Sequence, residues 1–102
     1  MGKKLKQTEK EITRAIRGLL SSLGVWHYKQ LGTLGMPPGL PDIIGIWEGR
    51  YLGIEVKTER GIVSERQQVF IDSINRAGGI AFVCRSVDEC IEKLGIKDRF
   101  LM

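Results

Sequence analysis

The sequence predicts an α/β domain with a mixed sheet of about four strands flanked by helices. Three observations predict it. Apolar residues recur every three or four positions in segments that open with a Ser/Thr-x-x-Glu/Gln signature, the mark of amphipathic helices. Short runs rich in Ile, Val and aromatics lie between Gly, Pro and polar clusters, the mark of strands. Their order along the chain is helix, strand, hairpin, helix, strand, helix. At 102 residues the chain makes one domain. Such a domain buries about 65% of its extended surface, enough for a modest core.

The first helix spans about Thr8 to Leu23, with Ile12, Ile16, Leu19, Leu20 and Leu23 as its apolar stripe. Thr8 is its N-cap, Glu11 reaches back in a capping box, and Gly24 ends it. Val25 to Lys29 reads as a short aromatic strand. The segment from Gly32 to Pro41 is an extended loop punctuated by three Gly and three Pro. Ile43 to Trp47 and Tyr51 to Lys57 read as a hairpin turned at Glu48-Gly49-Arg50. A polar loop follows, from Thr58 to Val63. Ser64 and Gln67 form a second capping box for a helix that runs to about Arg76 and stops at Gly78-Gly79. Ile80 to Cys84 is a buried-looking strand, parallel to the one before it because a helix connects them. Ser86 caps a last helix through about Leu94. Residues 95–102 carry no clear periodicity.

Three charged groups sit on the hairpin. Glu55 and Lys57 alternate with Val56, so both point to one face while Ile54 and Val56 point to the other. The hairpin brings Asp42 near the far end of the second strand. Two carboxylates and an ammonium are thus set side by side. A Glu55–Lys57 ion pair on a solvent-facing edge explains the same spacing. Two carboxylates with room for water also suit Mg²⁺ or Mn²⁺, with the Val56 carbonyl as a third oxygen ligand. An ion there activates water and steadies charge on a phosphate, with Lys57 serving the water or the transition state.

Leu40-Pro41-Asp42 followed by Glu55-Val56-Lys57 resembles the Pro-Asp…(Asp/Glu)-x-Lys signature of the restriction-endonuclease-like superfamily. Gly39-Leu40-Pro41-Asp42-Ile43-Ile44-Gly45, Glu55-Val56-Lys57-Thr58, Val63-Ser64-Glu65-Arg66-Gln67 and the Gly79-to-Cys84 strand more narrowly resemble the VRR-NUC domain, a virus-type replication-repair nuclease. The resemblance runs from Thr8 to about Leu94. It implies a restriction-endonuclease-like core and a metal-dependent phosphodiesterase acting on DNA. By similarity Asp42 and Glu55 hold the metal, Lys57 serves the water, and Gln67 completes the site unless its capping task is its whole role. The family's first helix also supplies an acidic residue. At about 100° per residue, Glu9 lies beside the Ile12/Ile16/Leu23 stripe and faces inward, whereas Glu11 lies on the other side and caps. Glu9 is therefore the expected third acid and a metal ligand. A non-catalytic DNA-binding module on the same fold is the alternative.

Residues 1–29 carry Lys3, Lys4, Lys6, Lys10, Arg14, Arg17 and Lys29 against Glu9 and Glu11, a balance of +5 within a net charge of +4. A basic N-terminal arm over residues 1–7 that faces phosphates fits this asymmetry, as does a solvated helix face. No apolar run approaches the roughly 20 residues of a membrane span, and the chain reads as cytosolic. Cys84 and Cys90 lack the partners of a zinc site. His27, the single histidine, reads as structural. Trp26, Tyr28, Trp47 and Phe100, with the tail Phe100-Leu101-Met102, are candidates for the interface of a homodimer. Such a pair would offer two active sites to a branched DNA such as a four-way junction.

Overall fold

The computed structural model describes residues 6–32 and 34–100. Lys3, Lys4, Leu101, Met102 and the side chain of Phe100 lie outside the described parts.

Helix α1 spans Glu9–Ser22. Its cap is reciprocal: the Glu11 N–H donates to Thr8 Oγ1 at 3.1 Å and the Thr8 N–H to Glu11 Oε1 at 3.1 Å. Strand β1 is only His27–Lys29, shorter than the aromatic run suggests. The Val25 N–H donates to the Leu20 carbonyl at 2.9 Å, so this residue closes the helix and does not enter the ladder.

Strands β2 (Ile43–Trp47) and β3 (Arg50–Val56) form the expected hairpin. Both turn residues, Glu48 (φ 49°) and Gly49 (φ 78°), are left-handed. That is the two-residue turn whose twist matches the strands. Helix α2 (Glu65–Arg76) carries the Ser64–Gln67 capping box. Strand β4 is Ile80–Cys84 and helix α3 is Val87–Lys93, capped by Ser86. A short 3₁₀ helix, Lys97–Phe100, follows. The side-chain amide of Asn75 clasps β4 twice, donating to the Ala81 carbonyl at 2.9 Å and accepting from its N–H at 2.8 Å.

The sheet order is β1-β2-β3-β4, antiparallel except for the parallel β3/β4 pair. Residues Ile43, Trp47, Leu52, Ile54 and Val56 join Ile12, Ile16, Leu20, Cys90 and Leu94 in the core between one sheet face and helices α1 and α3. Helix α2 covers the other face over β3 and β4. Gly53 allows that closeness, since a Cβ there would stand 2.9 Å from Pro41 and 3.3 Å from Ile74.

Trp47 is corrected by this arrangement. It is 6% exposed and lies in the core, so it belongs to no interface. Register sets this: Trp47 alternates onto the same face as Ile43. Trp26 and Tyr28 are 64% and 43% exposed, in an edge-to-face pair with ring centroids 5.5 Å apart. Cys84 and Cys90 are free and buried. Among the described residues no helix is long and apolar enough to cross a membrane.

Candidate active site

The hairpin builds the site. Ile43 pairs with Ile54, and continuing that register one step sets Asp42 opposite Glu55. The Val56 N–H donates to Asp42 Oδ2 at 2.7 Å, which fixes the carboxylate against β3. Strand β3 is central, with β2 and β4 on either side. The solvent-facing ion pair is thereby ruled out: Glu55 is 3% exposed, and the Lys93–Glu89 contact is the one salt bridge among the described residues. Lys57 follows the strand, its N–H donating to the Cys84 carbonyl at 3.1 Å.

Burying a carboxylate is costly unless something offsets its charge. Glu55 Oε1 is buried and has no hydrogen-bond partner among the described residues. Burial first, then the Asp42 carboxylate beside it, push the Glu55 carboxyl up to about 9. The charge of Lys57 acts the other way, and that of Glu9 adds a further upward push. Asp42, Glu55, Lys57 and Glu9 thus share one electrostatic neighbourhood.

The two acids of α1 divide their tasks. Glu11 caps, and its carboxyl is held below the usual range by the Thr8 backbone N–H and hydroxyl. Glu9 is exposed rather than turned into the interior, but it is the helix acid whose charge reaches Glu55. Among the described residues no three His, Cys, Asp or Glu side chains converge to hold an ion by themselves, so Glu9 is not brought into one ligand set with Asp42 and Glu55. On the cleavage that the sequence resemblance implies, Glu9→Gln should do more harm than Glu11→Gln, which should cost mainly helix stability, on the order of 1 kcal/mol for a lost cap. Parallel single-turnover assays and thermal melts check this, and equal activities would exclude Glu9 from the site.

Gln67 Oε1 accepts from the Ser64 N–H at 2.8 Å; among the described residues its hydrogen bonds are those of the cap alone. His27 Nδ1 lies 2.9 Å from the Val25 carbonyl, a structural contact within its own turn. The Gly/Pro loop borders a cavity of about 290 Å³ that reaches Asp42, with Gln30, Met36 and Pro38 among its walls.

Arg85 belongs to no motif of the sequence, yet it braces the site. Its Nη1 donates to the carbonyls of Thr58 at 2.7 Å, Gly61 at 2.8 Å and Glu59 at 3.4 Å. It holds the turn that begins directly after Lys57. A contact across 24 to 27 positions leaves no local pattern; a cation placed right after a buried strand is the one available hint.

A buried Glu55 beside a half-buried Asp42, with a lysine two residues on, at the end of a central strand in a mixed sheet, is an arrangement that fits a nuclease-type domain. The VRR-NUC domain model matches residues 5–88, and the chain belongs to that nuclease family. Two solved structures share the fold. One, described as a VRR_NUC domain protein, is 20% identical, covering 89% of this chain and 88% of its own, with a TM-score of 0.71. The other, a VRR_NUC domain, is 24% identical, covering 87% of this chain and 95% of its own, with a TM-score of 0.70. No curated protein matches the chain.

Proposed function

We propose that the chain is a metal-dependent endonuclease that hydrolyses DNA phosphodiester bonds, acts on branched DNA such as a four-way junction, and works as a homodimer. The observation that carries it is the buried, unpartnered Glu55 Oε1 beside Asp42. Such an oxygen is costly for the protein alone and natural for a cation ligand. The donor set is hard oxygen throughout, which suits Mg²⁺ or Mn²⁺. Asp42 and Glu55 would hold the ion. The N–H and C=O of one strand residue point to the same side. The Val56 N–H points at Asp42, so its carbonyl is directed there too and supports the third-ligand assignment. Glu9 would join from the first turn of α1.

A divalent cation in this place supplies Lewis acidity at a phosphate oxygen. The chain's own residues do the rest. Glu55 and Asp42 would hold the cation in place, and the Val56 N–H keeps Asp42 from swinging away. Lys57 orients the attacking water and offsets charge that builds on the phosphate. Gln67 would complete the site from its cap.

The exposed half of the α2-side sheet face supports pairing. Ile46 pairs with Tyr51 across the hairpin, and Tyr28 and Trp26 alternate onto the same face. All four of these side chains are exposed. With Trp47 in the core, they form the apolar centre that a two-fold interface needs.

The test is cleavage of a labelled four-way junction and a matched linear duplex with Mg²⁺, Mn²⁺, Ca²⁺ or EDTA, beside sedimentation at micromolar concentration. Paired nicks on the junction are expected with Mg²⁺ and Mn²⁺, little cleavage with Ca²⁺, none in EDTA, and a dimer in sedimentation. Robust cleavage in EDTA rejects the metal. Equal cleavage of both substrates rejects the branched preference, and a monomer rejects the pairing.

A further inference from the structure

A cleft of about 760 Å³ opens beyond Lys57. Three separate segments wall it: Lys6 before α1, the turn of Thr58 and Arg60 after β3, and Arg85 with Glu89 at the start of α3. The turn follows Lys57 directly. DNA carries a phosphate about every 3.4 Å of axis on each strand. The cleft's wall at Thr58 is the next residue after Lys57, so a strand that runs on from the site past Lys57 would set its next phosphates there.

Its charges fit that occupant. Glu89 is neutralised by Lys93 at 3.1 Å. The Nη1 of Arg85 is engaged by three backbone carbonyls, so this side chain shapes the turn. Lys6 and Arg60 are exposed, and among the described residues neither has a salt-bridge partner. Glu59 is the single acid that opposes them.

We propose that this cleft holds the sugar-phosphate backbone of the substrate strand next to the reacting phosphate. Lys6 and Arg60 are its phosphate contacts, and Arg85 is the positioning residue that presents Arg60. The proposal rests on the DNA-cleaving function above and adds a site to it.

Binding of a fluorescein-labelled DNA duplex in EDTA, followed by anisotropy across a salt series, tests it without cleavage. Log affinity should fall linearly with log salt for the wild type. Arg60→Gln and Lys6→Gln should each flatten the slope by about 0.9, while Arg60→Lys keeps it. Arg76→Gln, at the far end of α2 and outside the cleft, should also keep it. Arg85→Lys preserves the charge, but its ammonium ends one bond short of the place Nη1 occupies between the Thr58 and Gly61 carbonyls, so it should release the turn and flatten the slope as Arg60→Gln does. A wild type with no salt-dependent binding overturns the DNA reading itself. A wild type that binds, with unchanged slopes for Arg60→Gln and Lys6→Gln, overturns the cleft alone and leaves it to another anion such as an acidic protein segment. A wild-type slope for Arg85→Lys removes its positioning role.

Discussion

Glu55→Gln should abolish cleavage, by about 100- to 1,000-fold or more, while making the metal-free protein more stable. Asp42→Asn and Lys57→Ala should match the loss of cleavage. The gain in stability follows from the Glu55 carboxyl, pushed up to about 9 by burial and by Asp42 from an ordinary 4.5. Below that ordinary value both the folded and the unfolded chain hold the proton, and nothing is lost. As pH rises past it, the unfolded chain releases a proton that the folded protein keeps. Stability of the wild type then falls by up to about 1.4 kcal/mol per pH unit until the folded value is reached. Gln does not ionise, so the variant's stability should stay flat through this window. At pH 8 it should exceed the wild type by on the order of 1–4 kcal/mol. Added Mg²⁺ should raise the wild-type melting temperature and leave that of Glu55→Gln nearly unmoved, because ligand binding stabilises only the form that binds. Urea unfolding in EDTA between pH 5 and 9, repeated with Mg²⁺, checks each part. A wild-type curve independent of pH would show that Glu55 keeps no extra proton in the folded protein, and equal Mg²⁺ shifts would remove Glu55 from the metal.

Local rules make much of this site legible in the sequence. Thr8 with Glu11 and Ser64 with Gln67 mark helix starts through contacts three residues apart, and both boxes form. Period-two alternation and a hairpin suffice to bring Asp42 near the far end of β3, but a turn read over Glu48-Gly49-Arg50 is one residue too long: Arg50 pairs with Trp47, and that shorter turn sets the register that places Asp42 opposite Glu55. Long-range contacts are not legible in the same way. The Val25 N–H is claimed by Leu20, a helix-closing bond that aromatic composition does not reveal. The depth of Glu55 depends on β4 and α2 arriving from elsewhere in the chain. Trp47 is within reach of alternation, since it shares a face with Ile43, but aromatic character alone points it toward an interface. Helical angle points Glu9 inward, but the side chain is exposed, because it sits in the first turn of α1, ahead of the buried stripe that begins at Ile12.

Gly39→Ala should cost about 2–4 kcal/mol and lower cleavage with it. Gly39 has φ +89°, and a Cβ there would lie 2.8 Å from the Arg66 carbonyl oxygen and 2.9 Å from its carbon. Both are backbone atoms of α2's first turn and cannot swing aside. The loop must lift off the helix. It leads straight into Asp42, whose carbonyl accepts from the Gln30 N–H at 2.7 Å and whose Oδ2 is held by Val56. Lifting the loop therefore draws the carboxylate away from Glu55 and opens the wall of the cavity beside it. Gly35 is the control within the same loop. Its φ is +93°, but nothing lies within 4 Å of where its Cβ would stand. Gly35→Ala should cost only the left-handed conformation, about 1–2 kcal/mol, and keep cleavage near wild type. Urea unfolding and single-turnover cleavage of both variants separate contact from conformation. If the two lose stability and activity equally, the packing of the loop on α2 is not what holds Asp42 in place.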